Sequence, residues 1–380
     1  MKKLLALLMA AAMVFCLAAC QSAGNTDTGS TGYTANNTEY IIGATGPLTG
    51  DASSYGISVQ EGASLAVEQI NANGGLNGVN FKFDMKDDKA AAADAASGYD
   101  MLYESGMQIS LGSVTSGSCA SFATKALSDN LFFITPSASA ANVIATGPNA
   151  FRICFGDPDQ GVLAAQEFNG KYEKIGAIYD TSDPYSSGIY DAFKQEMDNL
   201  GIEFLTQTFD AENKKDFSTQ VEALKDCDLI FLPFYYTEAG LVAKTVVAKG
   251  SDAVLFGCDG LDGIADQIDE TVTNTIRYIT PFDVNSQDAN VKSFVDAYKA
   301  KYNKLPDQFA ADGYDAVMVI YEAMKAAGVD DVTIDPDTLC QKVTAVVTSD
   351  SFTYTGATGT MSWDVSGACN KIPTIIELNK

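Results

Sequence analysis

The sequence contains no histidine. That absence removes imidazole acid–base work, Ser-His-Asp and Cys-His nucleophiles and H-E-x-x-H zinc sites together. Arginine is nearly absent too, occurring only at Arg152 and Arg277. Twenty-four basic residues face 49 acidic ones, for a formal net charge of −25. The clustered basic surface that nucleic acid requires is therefore missing, and nucleic acid is excluded as a partner. No two cysteines have C-x-x-C spacing, so neither a redox pair nor a thiolate zinc site is indicated. No metal, cofactor or catalytic residue is expected. Long apolar runs are lacking after the first twenty residues, and no later segment suits a membrane-spanning helix.

The N-terminus carries what the rest lacks. Lys2 and Lys3 precede the apolar run Leu4 to Leu17, and Leu17-Ala18-Ala19-Cys20 closes it. Residues 1–20 read as a signal peptide. The junction resembles a lipobox, which makes Cys20 the expected lipidation site. Residues 21–38 are rich in Ser, Thr, Gly and Asn and read as a flexible tether. An extracytoplasmic, lipid-anchored protein follows. Export permits disulfides, but the pairing of Cys119, Cys154, Cys227, Cys258, Cys340 and Cys369 is open, and burial as free thiols fits equally.

The remaining chain of about 340 residues exceeds one usual core, so two lobes are expected. Strand candidates at Tyr40–Thr45, Asn80–Met85 and Leu131–Ile134 alternate with helical patterns at Ile57–Ile70 and Lys89–Glu104. A second series begins at Lys174 and alternates in the same way to Thr280. Such alternation predicts α/β lobes with parallel sheets and right-handed crossovers. Asp87 and Asp88 are expected to begin the helix that follows them, where negative charge suits the dipole.

Two hydroxyl-rich loops stand out, Gly112-Ser113-Val114-Thr115-Ser116-Gly117-Ser118 and Thr135-Pro136-Ser137-Ala138-Ser139. Each follows an apolar strand candidate, so in a parallel sheet both lie at carboxyl strand ends, where ligands bind. The first loop also opens a helix, whose free N–H groups and dipole favour an anion. Neither loop contains Arg or Lys, and small hydroxyls beside free amides suit a compact carboxylate. Capping and turn chemistry use the same residue types.

With these residues placed, the chain resembles the type I periplasmic binding proteins, in particular the leucine/isoleucine/valine-binding branch of ABC-importer receptors. The marks run in order from Gly46-Pro47-Leu48-Thr49-Gly50 and Tyr55-Gly56 to Ile70-Asn71-Ala72-Asn73-Gly74-Gly75-Leu76-Asn77-Gly78. Asp87-Asp88, the Ser116 loop, Ile134-Thr135-Pro136-Ser137-Ala138-Ser139 and Asp159-Gln160-Gly161 follow. Lys215-Asp216-Phe217-Ser218 and Gly313-Tyr314-Asp315-Ala316 complete the set. The resemblance implies three crossings between lobes that close by hinge rotation. It places 39–156 plus 284–361 in the N-terminal lobe and 157–283 plus 362–380 in the C-terminal lobe.

The same resemblance implies a site for an amino acid. Ser116 with its neighbouring amides and the Ser139 hydroxyl would take the α-carboxylate. The Ser137 carbonyl and Asp259 would take the ammonium, although capping of the following helix is an alternative role for Asp259. Tyr55, Tyr185 and Tyr235 would cover the side chain, Tyr236 replacing Tyr235 after a one-residue slip. Val114, Thr115 and Phe309 would select it, favouring an aliphatic group. The implied partners are an amino-acid ligand and a membrane ABC permease, and a monomer is expected. Two other readings stay on the page: a sensor of the same fold for amides or other small metabolites, and a Ser-Lys hydrolase using Ser121 and Lys125.

Overall fold

The computed structural model describes residues 36–378; Cys20, the signal peptide and the tether through Ala35 lie outside the described residues. The chain opens with β1 (Tyr40–Gly46), α1 (Ser53–Ala72), β2 (Phe81–Asp87), α2 (Ala92–Glu104) and β3 (Ile109–Ser113). It continues through α3 (Ser116–Ser128), β4 (Phe133–Thr135), the single turn α4 (Ala141–Ile144) and β5 (Ala150–Arg152). These strands form a parallel sheet in the order β2-β1-β3-β4-β5. Strand order reverses between β1 and β3, which opens a crevice at their carboxyl ends. Tyr55 in α1 and Ser116 in α3 follow those two ends.

The second lobe repeats the scheme. It comprises α5 (Asp157–Phe168), β6 (Ile175–Asp180), α6 (Pro184–Leu200), β7 (Leu205–Phe209), α7 (Ser218–Leu224) and β8 (Leu229–Leu232). Then come α8 (Tyr236–Ala248), β9 (Val254–Gly257) and β10 (Ile276–Thr280). The chain returns to the first lobe with α9 (Ala289–Tyr302), α10 (Gln308–Ala326), α11 (Pro336–Val347) and the hairpin of β11 (Tyr354–Gly356) and β12 (Gly359–Met361). It ends on β13 (Thr374–Glu377), which adds antiparallel to β10 in the sheet β13-β10-β9-β8-β6-β7. Here the order reverses between β6 and β8, which are followed by Tyr185 in the first turn of α6 and by Tyr235 at the N-cap of α8. Both lobes thus present loops from their own switch points.

Local chemistry accounts for these elements. The central strands are buried on both faces, as in the apolar run Leu229–Leu232 and in Ile109–Ser113, whose Ser110 and Ser113 are buried with it, which is the pattern of strands covered by helices on each side. Phe168 sits against Phe193, Phe231 and Phe256 at centroid distances of 5.7, 5.8 and 4.9 Å, so an aromatic cluster closes the second lobe's core. Helices α1 and α10 touch at their backbones: a Cβ on Gly62 would stand 1.9 Å from the Ala310 carbonyl oxygen. That contact admits no side chain at position 62.

Three expectations are corrected. Asp87 and Asp88 do not begin a helix; Lys89 and Ala90 follow them at φ of 52° and 58° and α2 starts only at Ala92. Asp87 instead ties down the turn after β1, accepting from Leu48 N at 2.9 Å and Thr49 Oγ1 at 2.6 Å. Helix α11 was not anticipated, although its Asp335 cap accepts from Thr338 N. Residues 362–371, assigned from sequence to the C-terminal lobe, bond to the N-terminal one. Trp363 Nε1 donates to Arg152 O at 2.7 Å, Arg152 N to Gly367 O at 3.1 Å, and Lys371 Nζ to Asp312 Oδ1 and Thr358 Oγ1, both at 2.8 Å. Lys371 and Asp312 are each buried. Leaving either charge unpaired in the interior would be costly, so the segment stays docked through Lys371 before the chain crosses to β13.

Candidate functional site

Nine of the ten candidate ligand residues line one cavity between the lobes: Tyr55, Val114, Thr115, Ser116, Ser137 and Phe309 from the first, and Tyr185, Tyr235 and Asp259 from the second. Gly260 completes the wall. The tenth, Ser139, does not line it. Its carbonyl accepts from Arg152 Nη1 at 2.6 Å and Asp157 N at 3.1 Å, which turns the residue toward the first crossing. Its hydroxyl is buried beside the Asp157 carboxyl, to which it offers a hydrogen bond, and Nε of Arg152 is buried without a partner. Burial holds the Asp157 carboxyl well above the usual range, and the nearby charge of Asp259 adds to the effect.

On the first lobe, the site is the start of α3. Thr115 occupies the N-cap position in extended conformation, yet its side chain makes no capping bond and its Oγ1 is buried without a partner. The first N–H groups of a helix have no intrahelical acceptor. A neutral, anion-seeking wall results. The two serine hydroxyls are held by specific bonds: Ser116 Oγ accepts from Ala140 N at 3.2 Å, and Ser137 Oγ donates to Val114 O at 2.7 Å.

On the second lobe, Asp259 begins the short helical turn Asp259–Leu261, with Cys258 at the N-cap position, and its carboxyl takes backbone bonds from Gly260 and from its own N–H. From side chains, Oδ1 accepts from Tyr185 OH at 2.6 Å and Gln160 Nε2 at 3.0 Å, while Asp259 N donates to Gln160 Oε1 at 2.9 Å. Burial pushes the carboxyl up to about 6, and the bonds from Tyr185 and Gln160 draw it back. An arriving cation would favour its ionised form against that burial. Tyr185 stacks on Tyr235 at 5.0 Å and 11°. Tyr55 packs on Phe309 at 4.3 Å and edge-on to Tyr236 at 4.8 Å. These rings provide an apolar surface around the polar floor.

The lobes meet across the cavity. Tyr55 OH donates to Gly260 O and accepts from Tyr236 N at 3.1 Å; Gln308 Nε2 donates to Asp259 O at 2.6 Å. Lys214 of the second lobe lies 3.4 Å from Asp51 of the first and 3.0 Å from Glu238. With the lobes joined in this way the cavity measures about 20 Å³, room for roughly one water. A molecule of several heavy atoms enters only when the lobes part. A second cavity of about 360 Å³ adjoins it across Thr115 and Tyr235 and is bounded by residues of both lobes.

Sequence reasoning missed Gln160 and Gln308 as participants; Tyr236, weighed as a replacement for Tyr235, instead accompanies it, packing on Tyr55 while Tyr235 lines the cavity. Gln160 stands in the Asp159-Gln160-Gly161 mark, but nothing local in the sequence connects it to Asp259 ninety-nine positions away. The six cysteines of the described residues are free and buried. Lys125 is bound to Asp100 at 2.9 and 3.0 Å on an exposed face, and so does not activate Ser121.

Two α/β lobes joined by several crossings, with opposed polar walls at their switch points, define a cleft-closing receptor for small ligands. Residues 39–364 match the family described as periplasmic binding protein, and the chain belongs to that family. The Leu/Ile/Val-binding protein homolog 3 of Brucella melitensis is 29% identical over 299 residues, covering 76% of this chain and 80% of the relative. The leucine-, isoleucine-, valine-, threonine- and alanine-binding protein of Pseudomonas aeruginosa is 28% identical, with 86% of each chain covered. Among solved structures, the branched-chain amino acid transporter substrate binding protein LivJ of Streptococcus pneumoniae, in complex with isoleucine, superimposes with a TM-score of 0.76. It is 27% identical, with 90% of this chain and all of LivJ covered. No helix among the described residues is long and apolar enough to cross a membrane.

Proposed function

We propose that this chain is the extracytoplasmic substrate-binding lipoprotein of an ABC importer and captures a small aliphatic amino acid, of the branched-chain kind, between its lobes. The observation that carries this reading is the opposition across one cavity of a neutral, hydroxyl-bearing helix start and the supported Asp259 carboxylate. A zwitterion fits that polarity with its carboxylate toward Ser116 and α3 and its ammonium toward Asp259. The ring surface of Tyr55, Tyr185, Tyr235 and Phe309 covers the aliphatic group. The ligand names of the relatives point the same way. Ligand capture takes the place of catalysis, Cys20 carries the lipid that holds the protein at the membrane, and the lobes deliver the ligand to the permease by opening.

Ser116 illustrates how the wall works. A hydroxyl that accepts from a backbone N–H keeps its own proton for another acceptor, and Ser116 Oγ is held in that way by Ala140 N. It is thus set to donate to a carboxylate without any rearrangement. Closure then replaces water around both ligand charges with bonds already in place.

A thermal-shift screen of the purified protein against all amino acids tests the reading. A ligand that binds only the folded form raises the midpoint by mass action. Leucine, isoleucine or valine should give the largest rise; a flat response to every amino acid would reject the proposal.

A further inference from the structure

The starts of α1 and α8 meet across the cleft, and neither is capped by a side chain of its own lobe. Ala52 stands at the N-cap of α1 and Tyr235 at that of α8, and neither makes a side-chain capping bond. The first N–H groups of a helix have no intrahelical acceptor. In α1, Ser53 N and Tyr55 N find local carbonyls, Gly50 O and Ala52 O, both at 3.2 Å. Ser54 N, between them, donates to the hydroxyl of Tyr236 on the other lobe at 3.3 Å. The exchange is mutual. Tyr236 N, in the first turn of α8, donates to the hydroxyl of Tyr55 in α1 at 3.1 Å. The two rings meet edge-on, at 4.8 Å and 88°. The next residue adds a third bond, from Thr237 Oγ1 to Asp51 O at 2.8 Å. Tyr235 lines the ligand cavity; Tyr236 and Thr237 do not.

We propose that Tyr236 is a positioning residue for ligand capture: its hydroxyl caps α1 from the opposite lobe, so that closure completes two helix starts which parting of the lobes leaves without a protein acceptor. This rests on the reading of the cleft as a capture site and adds a determinant of affinity outside the cavity. The free energy of capture includes that of closure. A residue acting only on closure therefore scales the affinity for every ligand by the same factor. A residue that touches the variable part of a ligand alters the ratio between ligands instead. The two adjacent tyrosines thus divide the work: Tyr235 meets the ligand, and Tyr236 sets how firmly the lobes shut on it. These bonds form once the ligand has entered, so their strength is read in its release.

Tyr236→Phe removes the hydroxyl and keeps both the ring and the N–H that Tyr55 receives. The test measures L-leucine and L-valine by calorimetry and stopped-flow kinetics on the full chain and on this variant. 4-Methylpentanoate, which lacks the amino group, is added where it binds. Affinity should fall about fivefold, the ratio that loss of one helix cap produces, and by the same factor for each ligand. Release should be faster and association unchanged. Thr237→Val, which removes the bond to Asp51 O, should act in the same direction, again by one common factor. A loss that differs from ligand to ligand overturns the inference. So does an affinity left intact beside a lowered unfolding midpoint, the mark of a purely structural tyrosine. Where Tyr236→Phe does not fold, amide exchange on the parent decides: saturation with L-leucine should slow the Ser54 and Tyr236 N–H groups together, and exchange of either one unaltered by ligand overturns the proposal. Failure of the parent to bind any amino acid strikes the functional reading itself. Small-angle scattering without ligand then isolates Tyr236: the variant should show the larger radius of gyration, and equal radii overturn its role.

Discussion

The first lobe brings to the cavity two serines, a threonine and the start of a helix, with no charged side chain. The second brings a carboxylate, buried and held by Gln160 and Tyr185. The two walls solve the same problem, recognition of a charge in a dry cleft, by opposite means. Neutral donors and a helix start can be buried at modest cost, and their polarity persists whether or not an anion is present. A buried acid pays a desolvation cost that shows directly in its raised titration, up to about 6. The comparison teaches where the ligand's grip should be most fragile. It is strongest, and most easily broken, on the side with the full charge.

Asp259→Asn is expected to have the largest effect. It keeps the shape, retains a partner for Tyr185 and removes the charge opposite the ammonium. Truncating one member of a buried charge pair costs about 2–5 kcal/mol. Calorimetry should therefore show an amino acid weakened by more than tenfold, with 4-methylpentanoate little affected. Equal losses for both ligands would erase the distinction between the walls.

Ser116→Ala comes next and breaks the other wall. One hydrogen bond to a charged group contributes about 1.5–3 kcal/mol. Because that bond goes to the carboxylate, the variant should weaken L-leucine and 4-methylpentanoate alike. Selective loss of only one of them would reverse the assigned orientation of the zwitterion.

The walls should also part in their response to pH. Asp259 must be ionised to pair with an ammonium, and its carboxyl sits at about 6 in the folded protein. Amino-acid affinity should hold steady from pH 8 to 7 and fall as pH drops through 6. At pH 5 the loss approaches about tenfold, since one unit below the titration point protonates most of the acid. The sign follows because a group raised by burial gives up its proton when the cation arrives; binding near pH 6 should release protons, seen as a buffer-dependent heat. In Asp259→Asn this dependence should vanish.

The smallest effect is expected at Ser139. Its hydroxyl neighbours the Asp157 carboxyl and does not line the cavity. Ser139→Ala should therefore change affinity far less than Ser116→Ala. A loss as large as that of Ser116→Ala would place the Ser139 hydroxyl on the ligand after closure.

Much of this was legible in the sequence. Apolar strand runs followed by hydroxyl loops announced two α/β lobes, because parallel strands buried on both faces leave continuous Val, Ile, Leu and Phe segments. The loops at Ser116 and Ser137 were visible because ligand-binding loops need small polar residues directly after a strand. Elements were less readable where local signals compete. Asp87-Asp88 looked like a helix start, but their oxygens were taken by the turn at Leu48 and Thr49 and by the left-handed residues Lys89 and Ala90. The tail around Trp363 carried no local sign of which lobe it would join.

What the sequence by itself determined is the inventory: no histidine for catalysis, two alternating series, and the residue types of each wall. What only the tertiary structure decided is pairing. Asp259 gains its support from Gln160, Ser116 from Ala140 and Ser137 from Val114, contacts spanning ninety-nine, twenty-four and twenty-three positions. The direction of each hydroxyl, and hence whether it donates or accepts at the cavity, follows from those partners. A side chain's remaining valence for a ligand is set by what the fold has already bonded to it, and no local stretch of sequence contains that information.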